Sequence, residues 1–134
     1  MVDDPMRTQV VVLGEVNGAR TFPIFIGHYE AVQLDMALRK FQSPRPLTHD
    51  LVLNTIEAMG GQIDRIIVDA LRNETFFGKL AVTLGNGEEA LIDSRPSDAI
   101  VIAMKTGVPI FADDSVLAQV CREEGDAPDE KEDA

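Results

Sequence analysis

One cysteine, Cys121, occurs in the 134 residues. No internal disulfide can form from it, and no paired spacing exists for a zinc or redox motif; Cys121 reads as a small apolar residue on the last helix. Tryptophan is absent, and the aromatics are Tyr29 and six phenylalanines, too sparse for a dedicated surface on which successive unpaired bases stack. No apolar run approaches the ~20 residues that cross a bilayer. Residues 1–6, with Asp3, Asp4 and Pro5, lack the cationic start and apolar stretch of a secretory signal, so a cytoplasmic chain with no membrane segment is expected. Basic residues are also scarce: 12 Lys and Arg stand against 23 Asp and Glu, a formal charge of −11. Phosphate backbones attract cations and repel carboxylates. Long-range steering therefore opposes nucleic acid unless a local basic patch or a bound metal reverses the field at one place.

Part of the excess is terminal. Residues 122–134 hold seven acids against two bases, a net −5, with Pro128 and no aromatic residue. Such a segment cannot bury enough surface to order itself. The chain divides on this reading into one domain, residues 1–121, and an acidic, disordered tail, residues 122–134. The domain is long enough for one core and too short for two.

Extended runs at 8–13 and 21–26 flank Glu15-Val16-Asn17-Gly18, where Asn-Gly suits a tight hairpin. Ala31, Leu34, Leu38 and Phe41 then recur at helical spacing, with Val32 and Met36 as a second stripe, which predicts a largely buried helix. Ser43-Pro44-Arg45-Pro46 breaks it. A second helix starts with Thr48 as N-cap and Asp50 in its first turn, carries Val52, Ile56 and Met59 on one face, and stops at Gly60-Gly61. Runs at 63–71, 75–84 and 89–93 read as a three-stranded meander. Residues 99–104 are apolar throughout; Ser97 and Asp98 before them and Gly107 after them favour a short core helix. A strand at 108–112 and a final helix from about 116 to 123 complete the order ββααβββαβα. The expected fold is α+β, a single domain with a mixed β-sheet covered by about four helices.

Polar residues gather at two helix starts. Arg45-Pro46-Leu47-Thr48-His49-Asp50 and Arg95-Pro96-Ser97-Asp98 each place Arg-Pro just before a helix with Asp in its first turn. A helix N-terminus offers unpaired N–H groups with partial positive charge, and arginine adds a planar fork suited to phosphate. Asp50, Asp93 and Asp98 are carboxylates able to bind a divalent metal or orient water, and His49 titrates near neutrality and suits proton transfer. Thr48 and Ser97 are most simply N-caps. His28 and Glu30 open the first helix two positions apart, which puts their side chains on different faces. Taken singly, each acid has an ordinary role at a helix start, and each arginine an ordinary partner in a neighbouring acid.

Three segments in order, Phe22-Pro23-Ile24-Phe25-Ile26-Gly27-His28-Tyr29-Glu30-Ala31, Arg45-Pro46-Leu47-Thr48-His49-Asp50-Leu51 and Asp93-Ser94-Arg95-Pro96-Ser97-Asp98-Ala99, closely resemble the bifunctional nuclease domain family. The similarity runs from about residue 10 to residue 120. His28 departs from the family pattern, where a Gln or Asn is more usual. The resemblance implies a nuclease, a hydrolase cutting phosphodiester bonds in both DNA and RNA. From the resemblance together with the clustering at the two helix starts, Arg45 and Arg95, with Thr48 and Ser97, are expected to bind substrate. Asp50, Asp93 and Asp98 hold a divalent metal such as Mg2+ or Mn2+ or orient water, His49 shuttles a proton, and Glu30 and His28 stand in a second rank. The rival readings are a noncatalytic regulatory module that binds a nucleotide or small anion, and an oligomeric interaction protein. A homo-oligomer is the candidate assembly in either case.

Overall fold

The structure is a computed structural model that describes residues 9–73, 75–120 and 122–123. Cys121 and the tail from residue 124 onward lie outside the described residues. β1 (Gln9–Gly14) and β2 (Arg20–Ile26) form the opening hairpin. Asn17 supplies its left-handed residue, φ 61°. Two helices follow, α1 (His28–Leu38) and α2 (Thr48–Ala58). The meander is β3 (Gln62–Arg72), β4 (Thr75–Thr83) and β5 (Glu89–Ser94), and after it come α3 (Pro96–Thr106), β6 (Ile110–Ala112) and α4 (Asp114–Val120). The α+β order is the one the sequence implies, with one addition. Arg122 and Glu123, placed with the tail on composition, form a short β7 antiparallel to β2.

The strands divide between two sheets. β1-β2-β7 is antiparallel; β5-β4-β3-β6 is mixed, because β6 joins β3 in parallel. α3 lies between the two sheets, which is why its sequence is apolar all round. Its run from Ala99 to Ala103 is buried throughout. Ile100 packs with Phe22, Ile24 and Val68, while Ala99, Ile102 and Ala103 pack with Ile66, Leu80 and Val82.

Three expectations are corrected. α1 ends at Leu38, before Phe41, and of its residues Ala37 alone is fully buried; Tyr29, Val32 and Leu38 face outward. The helix docks on α3 and the small sheet by one stripe, Ala31 and Leu34; of the second stripe Met36 is half-buried and Val32 exposed. The N-cap of α2 is Leu47, with Thr48 as its first helical residue. Leucine has no side-chain acceptor, so the stabilising contact is the other half of a capping box: Asp50 accepts the Leu47 N–H at 2.9 Å. The N-cap of α3 is Arg95, with Pro96 in the first helical position and Ser97 after it, the place where proline's missing N–H costs nothing. Gly107 ends α3 at φ 83°, as its sequence position implies. Among the described residues no helix is long and apolar enough to cross a membrane.

Candidate active site

α1, α2 and α3 bring their first turns together. Gly27 precedes α1 without a side chain that would crowd the Glu30 carboxylate. Glu30 accordingly reaches Arg95, Oε2 to Nη1 at 3.2 Å. Arg95 grips Asp98 with two prongs, Nε to Oδ2 at 2.8 Å and Nη2 to Oδ1 at 3.1 Å. From α2, the His49 ring meets the same carboxylate, Nε2 to Oδ1 at 2.9 Å. A carboxylate can only accept, so Nε2 carries the hydrogen and the neutral ring has its lone pair on Nδ1. That atom is buried and has no hydrogen-bond partner in the described residues. Residues from all three motifs thus form one continuous chain, Glu30–Arg95–Asp98–His49.

The approach of α3 depends on a residue outside the motifs. Gly78 of β4 passes beneath the turn into α3, and a methyl group there would stand 3.2 Å from both the Pro96 Cα and the Ser94 carbonyl oxygen. An isolated glycine within a strand is a sequence sign of such close approach.

Charge settles the protonation of the acids. Burial pushes Asp98 up, but the hydrogen bonds from Arg95 and His49 outweigh it and hold the carboxyl below its ordinary range. Asp98 in turn raises Arg95, with Glu30 adding to the effect. Both stay ionised at neutral pH.

A cleft of about 490 Å³ opens beside this chain, bordered by Thr48, His49, Asp93, Arg95 and Asp98. A second, of about 360 Å³, lies on the Glu30 side of Arg95 and reaches Ser97. Asp93 borders both clefts, but its register sets it opposite Lys79. Strand alternation places it on the other side of the sheet from Ile92 and Leu80. Its side chain makes no hydrogen bond or ion pair among the described residues. His28 does not join the chain; its Nδ1 is buried without a partner and its ring lies edge-on to Tyr29 at 5.9 Å.

Asp50 and Arg45 stand elsewhere. Asp50 follows His49 but turns to the far end of α3, where Lys105 Nζ meets it at 2.9 Å. That bond, with the Leu47 N–H, lowers its pKa. Arg45 lines a separate cleft of about 570 Å³ with Asp50 and Lys105. Asp50, Asp93 and Asp98 therefore do not stand as one set. Among the described residues no group of three or more His, Cys, Asp or Glu is arranged to hold a metal ion. Lys105, and Lys40 in the same cleft, carry none of the motifs and escaped the sequence reading.

The bifunctional nuclease domain model matches residues 11–124. An uncharacterized protein of Mycobacterium tuberculosis is 36% identical over 118 residues, 88% of this chain and 70% of its own length. Bifunctional nuclease 1 of Oryza sativa subsp. indica is 32% identical over 110 residues, 81% of this chain and 33% of that protein. Bifunctional nuclease 1 of Arabidopsis thaliana is 32% identical over 90 residues, 66% of this chain and 28% of that protein. The chain thus corresponds to about a third of the length of the plant proteins it matches.

Proposed function

The chain belongs to the bifunctional nuclease domain family, and on that premise we propose that it hydrolyses phosphodiester bonds in DNA and RNA at the cleft beside His49 and Asp98. The observation that carries the reading is the Glu30–Arg95–Asp98–His49 chain, assembled from three separate helix starts at the edge of a cleft. Asp98 fixes the imidazole with its hydrogen on Nε2. His49 borders the cleft with Nδ1 buried; once a movement of the cleft wall admits a water to it, the Nδ1 lone pair takes the water's proton as the oxygen bonds to phosphorus, and the proton passes to the leaving oxygen as that bond breaks. Because Nδ1 lacks a partner, the transfer sacrifices no existing hydrogen bond. Arg95 keeps N–H groups beyond those given to Asp98 and Glu30, on a side chain 63% exposed, and these hold a phosphate oxygen. Thr48 and Ser97 border the two clefts and supply neutral hydrogen bonds to substrate.

A divalent cation such as Mg2+ or Mn2+ is a separate proposal. Asp93 borders both clefts with no described side-chain partner, but it faces away from Ile92 and Leu80, so an ion held by it would sit at the cleft rim and take most of its ligands from water and substrate, as Mg2+ commonly does. Activity unchanged by a chelator removes it.

His49→Gln is the decisive variant, because its side-chain amide can still donate to Asp98 but cannot accept and return a proton. Cleavage of single-stranded DNA and of RNA should fall about 10²–10⁴-fold with little change in melting temperature. A variant that melts and cuts like wild type removes His49 from the chemistry. A wild type that binds nucleic acid without cutting it points to the noncatalytic module.

A further inference from the structure

The cleft of about 570 Å³ that Arg45 lines runs against the charge of the whole molecule. In a chain of net charge −11 it gathers Lys40, Arg45 and Lys105 against a single carboxylate, Asp50, with Gln42 and Asn54 as neutral hydrogen-bonding groups. Asp50 is neutralised by Lys105 at 2.9 Å. Lys40 and Arg45 are exposed and their side chains have no hydrogen bond or ion pair among the described residues, so both charges are available to a ligand. The cleft lies at the C-terminal end of α3, whereas Asp98 and the cutting cleft lie at the N-terminal end, about 10 Å away at the helical rise per residue.

We infer that this cleft is a second site, distinct from the one around His49, and that it binds backbone phosphates of a nucleic-acid strand whose neighbouring segment enters the cutting cleft. The inference rests on the proposed nuclease reading and supplies what the overall charge withholds. Here a local positive patch overcomes the repulsion that −11 imposes at long range. Arg45, which sequence reasoning grouped with Arg95, acts at this site and not beside Arg95.

Binding, not turnover, tests it. Anisotropy of a labelled single-stranded oligonucleotide is measured across a salt series for wild type, for Lys40→Gln with Arg45→Gln, and for Arg65→Gln with Lys79→Gln. The last pair removes the same charge from the large sheet, where the two residues pair with Glu89 and Asp69. Expected is a loss of about tenfold in affinity for the cleft variant, with the salt slope reduced by about 1.4, since each single-strand phosphate contact contributes about 0.7. The control should keep the wild-type slope. Equal losses in both double variants, or none in the cleft variant, overturn the site. Inorganic phosphate displacing the strand at matched phosphate concentration overturns the strand and leaves a small-anion pocket. Because binding is read without cleavage, a wild type that binds here but does not cut sinks the nuclease reading alone. A wild type that cuts while the cleft variant binds normally sinks this site alone.

Discussion

Lys40 occupies a position that glycine usually takes. Its φ is 60°, and its N–H bonds to the Ala37 carbonyl while the Phe41 N–H bonds to that of Met36. This is the paired arrangement that ends helices through a left-handed residue. A side chain there costs about 1 kcal/mol, and nothing in the described chain repays it. Lys40→Gly should therefore raise stability by up to that amount while weakening oligonucleotide binding. Thermal melting and anisotropy on one preparation read both. A variant losing stability and affinity together would show that Lys40 acts through the fold.

At the level of elements, α3 is buried without a break from Ala99 to Ala103. Ile102 is 2% exposed, between Ile66 and Leu80, and Ile102→Ala should cost about 2–5 kcal/mol in denaturant unfolding; a loss under 1 kcal/mol would mean that the sheets do not close on this helix. The helix was legible because Asp98 and Gly107 bound an apolar run, and the hairpin because Asn17-Gly18 demands positive φ. Much of the site was legible for a similar reason: Glu30, His49 and Asp98 sit in helix first turns and Arg95 at an N-cap, which local sequence marks. Distribution across the sheets was not. Whether two neighbours such as His49 and Asp50 serve the same cleft depends on how α2 crosses α3. Lys105 acquires its role from that crossing, and Lys40 from the path of the α1–α2 connection. The outward stripe of α1 was misread because periodicity shows that a helix has an apolar face without showing what covers it.

For the molecule as a whole, acidity acts in two opposed directions. Asp50 and Asp98 have folded pKa values below their ordinary range. Each therefore contributes stability that is present above about pH 4, its unfolded value, and lost as pH falls through the lower folded value. Self-repulsion of a −11 chain works the other way, since protonating exposed acids relieves it. Melting temperature should rise modestly from pH 7 to about pH 5, then fall steeply below about pH 4. Added salt at pH 7 should also raise it by screening. A melting temperature that rises continuously down to pH 3 would mean that the Arg95–Asp98–His49 and Lys105–Asp50 contacts contribute nothing to the fold.

The parallel pairing of β6 with β3 carries a kinetic consequence. Ile66 meets Ile110 and Val68 meets Ala112 only after β4, β5 and α3 have run their course between them. The chain therefore bears the entropy of closing that long loop before β6 can return any hydrogen bond. α3, capped by Arg95 and carrying Asp98 in its first turn, lies inside the loop. The β3–β6 pairing is thus a non-local closure that brackets the helix bearing Asp98, and the site draws on three helix starts that lie far apart in the sequence.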